Sequence, residues 1–472
     1  VEATRRGVPG AAPVPVTSEA AARALAAFHA QSHGKDVAPV ETLFHAPGLG
    51  DPALRAARGS GAPLTPAARD ALAALRRADA AGPAAAGPWP AGARLAAACA
   101  EAVRVRRVSP ADRYPVHRSY PSPRGLFGAD LFLLPAEGGR WCLRMDPRTC
   151  ALHPWGGSPV PGDLDAALGG ARIAVAVDHR RYPPGYGRLR PSLALLEGGH
   201  LAAALGLALL RAGLAPRTAF APEGVPVPEG FAPCAVLTAS PAADGADGAD
   251  GAAPAPVPGA AGAVEIGPGA LARTAAAASR PAAGTALRDW LDARTSGVST
   301  ANLVTSAYVS PEDGDAVTSA LAEALAAAVP AVPADTLRLD RIVLAGDRVD
   351  DRVASRLLPG GAAGPGRPVP RTGDTGASSS LGFTLSADFG PWARAFGGRA
   401  QTALHPLLGW IAQWGCLAAA GGGLCARPMR NYSEPEWAAV LGLEPDETPA
   451  YQLWVRAERG AYLDLPVDGV QP

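Results

Sequence analysis

Two long apolar runs stand out, one in each half of the 472-residue chain. GYGRLRPSLALLEGGHLAAALGLALLRAGLAPR spans 185–217, and a shift of 210 lays it without a gap on AFGGRAQTALHPLLGWIAQWGCLAAAGGGLCAR at 395–427. Gly187/Gly397, Gly199/Gly409, Leu207/Leu417, Gly213/Gly423, Leu214/Leu424 and Arg217/Arg427 coincide. Alanine-rich chains match by chance, so the order of elements carries more weight than these identities. In each half a glycine turn precedes a long apolar helix and a Gly-Leu stop ends it. A short apolar strand follows about twenty residues later, PCAVLTA at 233–239 and AYQLWV at 450–455. Two copies of one α+β unit is the economical reading.

Other segments fix the outline of the chain. EAAARALAAFHAQSH (18–32) has the alanine content and apolar spacing of a helix, within an N-terminal extension over 1–69. SPAADGADGADGAAPAPVPGAAG (240–262) is too poor in large apolar groups to pack and reads as a flexible linker. The expected division is therefore extension 1–69, first half 70–239, linker 240–269 and second half 270–472. HRSYPSPRGLFGADLFLL (117–134) begins as a stiff polar loop and ends as a buried strand. Pro121 and Pro123 stiffen that loop and Gly125 allows close backbone approach. Arg118, Ser119, Ser122 and Arg124 offer donors in several directions, which suits a phosphate or a planar, acceptor-rich ligand as well as an exposed turn.

Composition narrows the classes. Lys+Arg and Asp+Glu are both 43, so no global field steers the protein to nucleic acid or to an anionic membrane. The six cysteines form no C-x-x-C pair and lack histidines at zinc spacing, so reduced thiols and no metal site are expected. LLGWIAQWGCLAAAGGGLC (407–425) is about long enough to cross a bilayer, but its glutamine and five glycines favour a helix buried at a domain or subunit interface. Nothing after Val1 has the pattern of an export signal, so a cytoplasmic protein is expected. RVRR (104–107) reads as a solvated helix end, with docking of an acidic peptide leader as the alternative.

The order of motifs resembles one family. RSYPSPRGLF (118–127) is similar to the R-T-A-P-S-A-G-A-L-Y loop of the SagB-type (ThcOx) dehydrogenases, an FMN-dependent branch of the nitroreductase superfamily. GYGRLRPSLALLEGGH (185–200) resembles their K-Y-G-E-R-G-Y-R-Y-A-L-L-E-A-G-H segment, and FHAQSHGK (28–35) their F-H-x-x-S-K stretch. In the second half, ARTSGVSTANLVTSAYVSPEDGDAV (293–317) is similar to the superfamily's R-x-S motif with its following helix. GGGLCARPMRNYSEPEWAAVLGLEPDETPAYQLWV (421–455) is similar to its Gly-Leu, Arg and terminal-strand segment.

The resemblance implies a nitroreductase-like α+β fold duplicated in one chain, with antiparallel-dominated sheets flanked by helices. The halves would form an internal pseudo-dimer and leave further homodimerisation open. It further implies one intact FMN site, with Arg118, Ser119, Pro121, Ser122 and Arg124 from one half and Arg294, Ser296, Gly423, Leu424 and Arg427 from the other. The opposite site would be degenerate, because its counterparts are only LRRADAAG (75–82) and LRLDRIVLAG (337–346). The implied activity is oxidation of thiazoline or oxazoline rings in a ribosomally made precursor peptide, with cyclodehydratase subunits as partners. Tyr186 matches the tyrosine of the family's Lys-Tyr dyad, with Arg188 or His200 as its helper, but Gly185 stands at the lysine position and leaves the basic chemistry in question. Two other readings stay open: a catalytically degenerate scaffold that binds peptide or cyclodehydratase, and a nitroreductase-like oxidoreductase acting on another small molecule.

Overall fold

A computed structural model describes residues 61–82, 87–108, 114, 116–136, 139–187, 189–242, 262–296, 305–307, 309, 314–344, 352–357, 367–368, 381–430, 432–459 and 465–466. The helix expected at 18–32 and most of the expected linker lie outside them. The first half runs α1 (Pro66–Arg77), α2 (Ala91–Val103), β1 (Arg107–Val108), β2 (Val116–His117), β3 (Ala129–Leu134), β4 (Leu143–Met145) and β5 (Leu152–Pro154). It continues with α3 (Leu164–Leu168), β6 (Arg172–Val177), α4 (Leu189–Arg211), β7 (Leu214–Phe220) and β8 (Ala232–Pro241). The second half runs β9 (Val264–Ile266), α5 (Pro268–Ser279), α6 (Leu287–Ala293), β10 (Thr305–Ala307), α7 (Asp315–Ala328), β11 (Leu337–Leu344), β12 (Arg352–Leu357) and β13 (Arg367–Pro368). β14 (Leu381–Asp388), α8 (Phe389–Phe396), α9 (Ala400–Gly421), β15 (Cys425–Met429), α10 (Glu434–Leu441), β16 (Glu447–Arg459) and β17 (Leu465–Pro466) complete it.

The protein has two seven-stranded antiparallel sheets, and the first five strands of each follow the same order. The first is β5-β4-β3-β6-β8-β7-β9; the second is β13-β12-β11-β14-β16-β10, with β15 also paired to β16. The register slips between Val175 and Ala176 in β6 and between Leu385 and Ser386 in β14, positions again 210 apart. Gly187 and Gly397 precede the long helices with φ 50°, ψ −129° and φ 53°, ψ −129°, and Gly213 and Gly423 follow them at φ 73° and 70°. Those left-handed backbones need glycine, so the turn and stop read from the sequence have a conformational cause.

The two long helices α4 and α9 cross in the centre. A Cβ on Gly199 would lie 1.9 Å from the Pro406 carbonyl oxygen, and a Cβ on Gly409 would lie 2.0 Å from that of Leu196. The four residues form two pairs related by the 210 shift, so the crossing is two-fold symmetric in its contacts. Among the described residues, only α4 is long and apolar enough to cross a membrane, and 89% of that window is buried in the protein. The run at 407–425 forms most of α9, and its Leu407, Trp410, Gln413 and Trp414 are all fully buried.

The second half also lends strands to the first. β9, within the stretch read as linker, adds to the first sheet beside β7, and β17 pairs with β1 of the first half. RVRR differs from its expectation: Arg104 and Arg106 are buried, holding Glu101 at 3.1 and 2.8 Å and Asp292 of α6 at 3.5 and 3.4 Å. Two carboxylates meet two guanidiniums there, which is what lets the charges leave water.

Either Gly199→Ala or Gly409→Ala should lower stability by about 1–3 kcal/mol through overpacking of the crossing, read from denaturant midpoints. The double variant should cost less than the sum, because the first substitution already separates the helices. Wild-type stability in either single variant would show that α4 and α9 do not cross at these glycines.

Candidate functional site

The loop after β2 is fixed from three sides. Glu197, fully buried on α4, accepts from Ser122 Oγ at 2.5 Å, Tyr182 OH at 2.7 Å and the Ala129 N–H at 3.0 Å. Burial pushes its carboxyl up, and these three donors pull it back. Ser122 Oγ also accepts from the Phe127 N–H, while Ser119 Oγ donates to the Ala102 carbonyl. Both hydroxyls are thus engaged within the protein, and what the loop offers outward is its backbone. Tyr120 is fully buried and packs edge-on against Phe127.

The second half reaches this loop through two side chains. Arg294, at the end of α6, donates from Nε to the Arg118 carbonyl at 3.2 Å and from Nη1 to Ser296 Oγ at 3.2 Å. Gln413 of α9 donates from Nε2 to the Ser119 carbonyl at 2.8 Å. A carbonyl only accepts, so this bond orders every hydrogen behind it. Gln413 Oε1 must accept from His200 Nδ1 (3.0 Å), and His200 Nε2 must accept from Tyr451 OH (2.9 Å). His200 is therefore a neutral Nδ1–H tautomer, engaged at both nitrogens and not turned to Tyr186. Burial holds it down at about 3.

Arg118 and Arg294 are 3% and 4% exposed, yet neither forms an ion pair among the described residues. Arg118 Nη1 donates to Tyr120 OH and its guanidinium lies 4.0 Å from the Phe127 ring centroid, but its buried Nε has no partner. Burial lowers Arg294 to about 10, and burial beside Arg107 and Arg294 lowers His117 to about 3. Among the described residues, the N–H groups of buried Ser119 and Tyr120 donate to no partner either. Buried donors ordinarily have acceptors. A loop with free amides and a buried guanidinium, met by a second buried guanidinium from the end of α6, fits a group that is anionic at one place and acceptor-rich at another, as FMN is.

The remaining expected residues are placed as follows. Pro121 is partly buried in the same loop. Arg124 stands in the left-handed region at φ 56°, with its guanidinium 5.1 Å from the Tyr186 ring centroid. Burial raises the Tyr186 phenol, Arg124 lowers it and Tyr114 raises it again. Arg188 lies outside the described residues. Gly423 and Leu424 close α9, the Leu424 N–H donating to the Ala419 carbonyl, and Arg427 is an exposed residue of β15. β15 joins the Arg294 segment by the Ala426 N–H on the Thr295 carbonyl at 3.1 Å. All six cysteines are free thiols, and no metal-holding cluster occurs among the described residues.

The polar chain occurs once. The 210 shift takes His200 to Trp410, Gln413 to Ala203 and Tyr186 to Phe396, which stacks on Trp392 at 5.3 Å. Glu197, Tyr182, Gln413 and Tyr451 were not singled out in the sequence. For Glu197 and Gln413 the signal was there, a polar group inside an apolar helix.

No family model and no curated protein matches the chain. Among solved structures it is similar to a provisionally named nitroreductase of Anabaena variabilis, at 15% identity and TM-score 0.54, over 78% of this chain and 88% of that one. It is also similar to a provisionally named nitroreductase of Ralstonia eutropha, at 21% identity and TM-score 0.24, over 39% of this chain and 86% of that one. A chain of the E. coli microcin synthetase McbBCD complex with truncated pro-MccB17 bound gives 14% and 0.22, over 25% of this chain and 51% of that one. The Anabaena likeness, which spans both halves, shows a nitroreductase-like α+β fold; the two shorter ones do not bear on it.

His200 makes a pH prediction. Its folded pKa is lowered, so its stabilisation is complete above the ordinary histidine value of 6.5 and is lost as pH falls toward about 3. Relative to His200→Gln, the parent should lose about 1.4 kcal/mol per pH unit across that window, measured by denaturant unfolding at stepped pH. A gap that stays constant would mean that the folded ring takes up a proton.

Proposed function

We propose that the chain is an FMN-dependent oxidoreductase that dehydrogenates azoline rings in a modified precursor peptide, working in the cytoplasm beside cyclodehydratase subunits. The observation that carries this reading is the meeting of Arg294 with the Arg118–Arg124 loop, where its buried guanidinium, without an ion pair among the described residues, donates to the Arg118 carbonyl across the halves. Arg294 and Ser296, with Arg427 nearby on β15, would hold the phosphate; Arg118 and the Ser119 and Tyr120 N–H groups would meet the acceptor edge of the ring system. When bound, FMN supplies the acceptor for a hydride. Tyr186, once ionised, takes the proton that leaves the azoline ring in the same oxidation. The Tyr451–His200–Gln413 chain holds the Ser119 carbonyl and Arg294 holds the Arg118 carbonyl toward the second half, so that the amides of the same peptide units point the other way.

One observation favours a second reading, a catalytically degenerate subunit that binds peptide or cyclodehydratase. Gly185 supplies no basic group beside Tyr186, and burial moves that phenol away from ionisation. Substrate separates the two readings: an azoline peptide oxidised with FMN present supports the enzyme, whereas peptide binding without turnover supports the subunit.

FMN should titrate to one per chain, since the donor set is present once; a ratio of two would break the argument from Trp410 and Ala203. Arg294→Ala removes a charge-assisted contact worth about 1.5–3 kcal/mol, so FMN should bind at least tenfold more weakly by flavin fluorescence. Unchanged affinity would place the phosphate elsewhere.

A further inference from the structure

The turn Pro123–Gly125 carries an arginine where the backbone favours glycine. Arg124 has φ 56° and ψ 21°, and Gly125 beside it has φ 65°. Non-glycine residues held in this region persist where surrounding structure requires them, and they gather at functional sites. The conformation turns the Arg124 side chain back over Tyr186, 5.1 Å from the ring centroid. Arg124 forms no ion pair among the described residues, so no carboxylate explains its place. Other cations are engaged elsewhere: Arg190 donates to the His179 carbonyl, Arg181 pairs with Asp130, and His200 is neutral between Gln413 and Tyr451. Tyr114 is the other titratable group felt by the phenol, and it opposes ionisation. At the equivalent place in the second half Phe396 has no hydroxyl and stacks on Trp392.

We propose that Arg124 is a positioning residue that holds Tyr186 and stabilises its phenolate, so that the working unit is an Arg124–Tyr186 pair contributed entirely by the first half. The proposal rests on the reading of Tyr186 as proton acceptor. In the balanced step, the substrate's carbon–hydrogen bond gives its proton to the phenolate oxygen, the electron pair left on that carbon would become the ring's new double bond as the adjoining carbon's hydride passes to the FMN of the proposed function, and the resulting neutral phenol stays beside the guanidinium. The cation's effect is to make the phenolate available at lower pH.

The test needs neither FMN nor substrate. Alkaline titration of the phenolate absorbance, with Tyr186→Phe subtracted, isolates the transition of Tyr186 in the full chain. Arg124→Gln should move that transition upward by about one pH unit or more, and Arg124→Lys should restore most of the shift. Arg124→Gly, which relieves the backbone, should melt no lower than the parent while showing the same upward shift. This separates an electrostatic role from a structural one. An unmoved transition in Arg124→Gln overturns the proposal, as does a parent in which Tyr186 does not ionise below the alkaline unfolding limit. If azoline turnover is found, its rising pH limb should move with the same variants. If turnover is absent but the titration shifts, the pair stands and the azoline reading falls.

Discussion

The close approach of α4 and α9 is the constraint on which the rest depends. At Gly199 and Gly409 the partner's carbonyl occupies the space of a side chain, so the helix axes are nearer than any larger residue permits. The two contacts are equivalent under one sequence shift, and they therefore fix both the translation and the rotation of one half against the other. The sheets, turned outward by the helices, follow. So does the pairing of β9 and β17 with first-half strands, because strands leaving one half reach only the edges that this crossing puts within range.

A symmetric crossing carries an asymmetric polar load. Along one side of the seam, Glu197, His200, Gln413 and Tyr451 form buried hydrogen-bonded groups, each saturated by a neighbour from another element. On the other side the equivalent positions are Trp410 and Ala203, and the space is filled by packing. Polar networks in a low-dielectric interior are stabilising only when every member has its partner. The loop carbonyls of Arg118 and Ser119 complete that set, so the loop cannot leave without orphaning Arg294 and Gln413. Its position is thus a property of both halves together.

Much of this was legible in the sequence. Helix length, the glycine turns and stops, and the strands after them follow from local rules, and the φ values at Gly187, Gly213, Gly397 and Gly423 show why glycine stands there. The meeting of Arg294 with the Arg118 loop was legible only through the order of motifs, since no local pattern relates residues so far apart. RVRR misled because a run of cations ordinarily marks solvent; its carboxylates Glu101 and Asp292 come from a helix interior and from the other half. Val264–Ile266 is a strand because β7 has an open edge, and three residues carry no periodicity that could announce it. The hydroxyls of Ser119 and Ser122 looked like donors for a ligand, yet Ala102 and Glu197 take them, which leaves the loop's backbone amides at Ser119 and Tyr120, not those hydroxyls, without a partner among the described residues.

That shift bears on the chemistry. A loop held by its own hydroxyls is rigid, so its backbone amides and the Arg118 guanidinium keep fixed directions. The same rigidity explains how an arginine can be kept in a left-handed backbone at Arg124: Ser122 anchors one side of the turn to Glu197, and Phe127, also at positive φ, anchors the other under Arg118. The strain is local, about 1–3 kcal/mol for such a residue, and the bonds around Glu197 offset it. One anchored loop thus places the Arg118 guanidinium over Phe127, its carbonyl on Arg294 of the second half, and the Arg124 guanidinium over Tyr186.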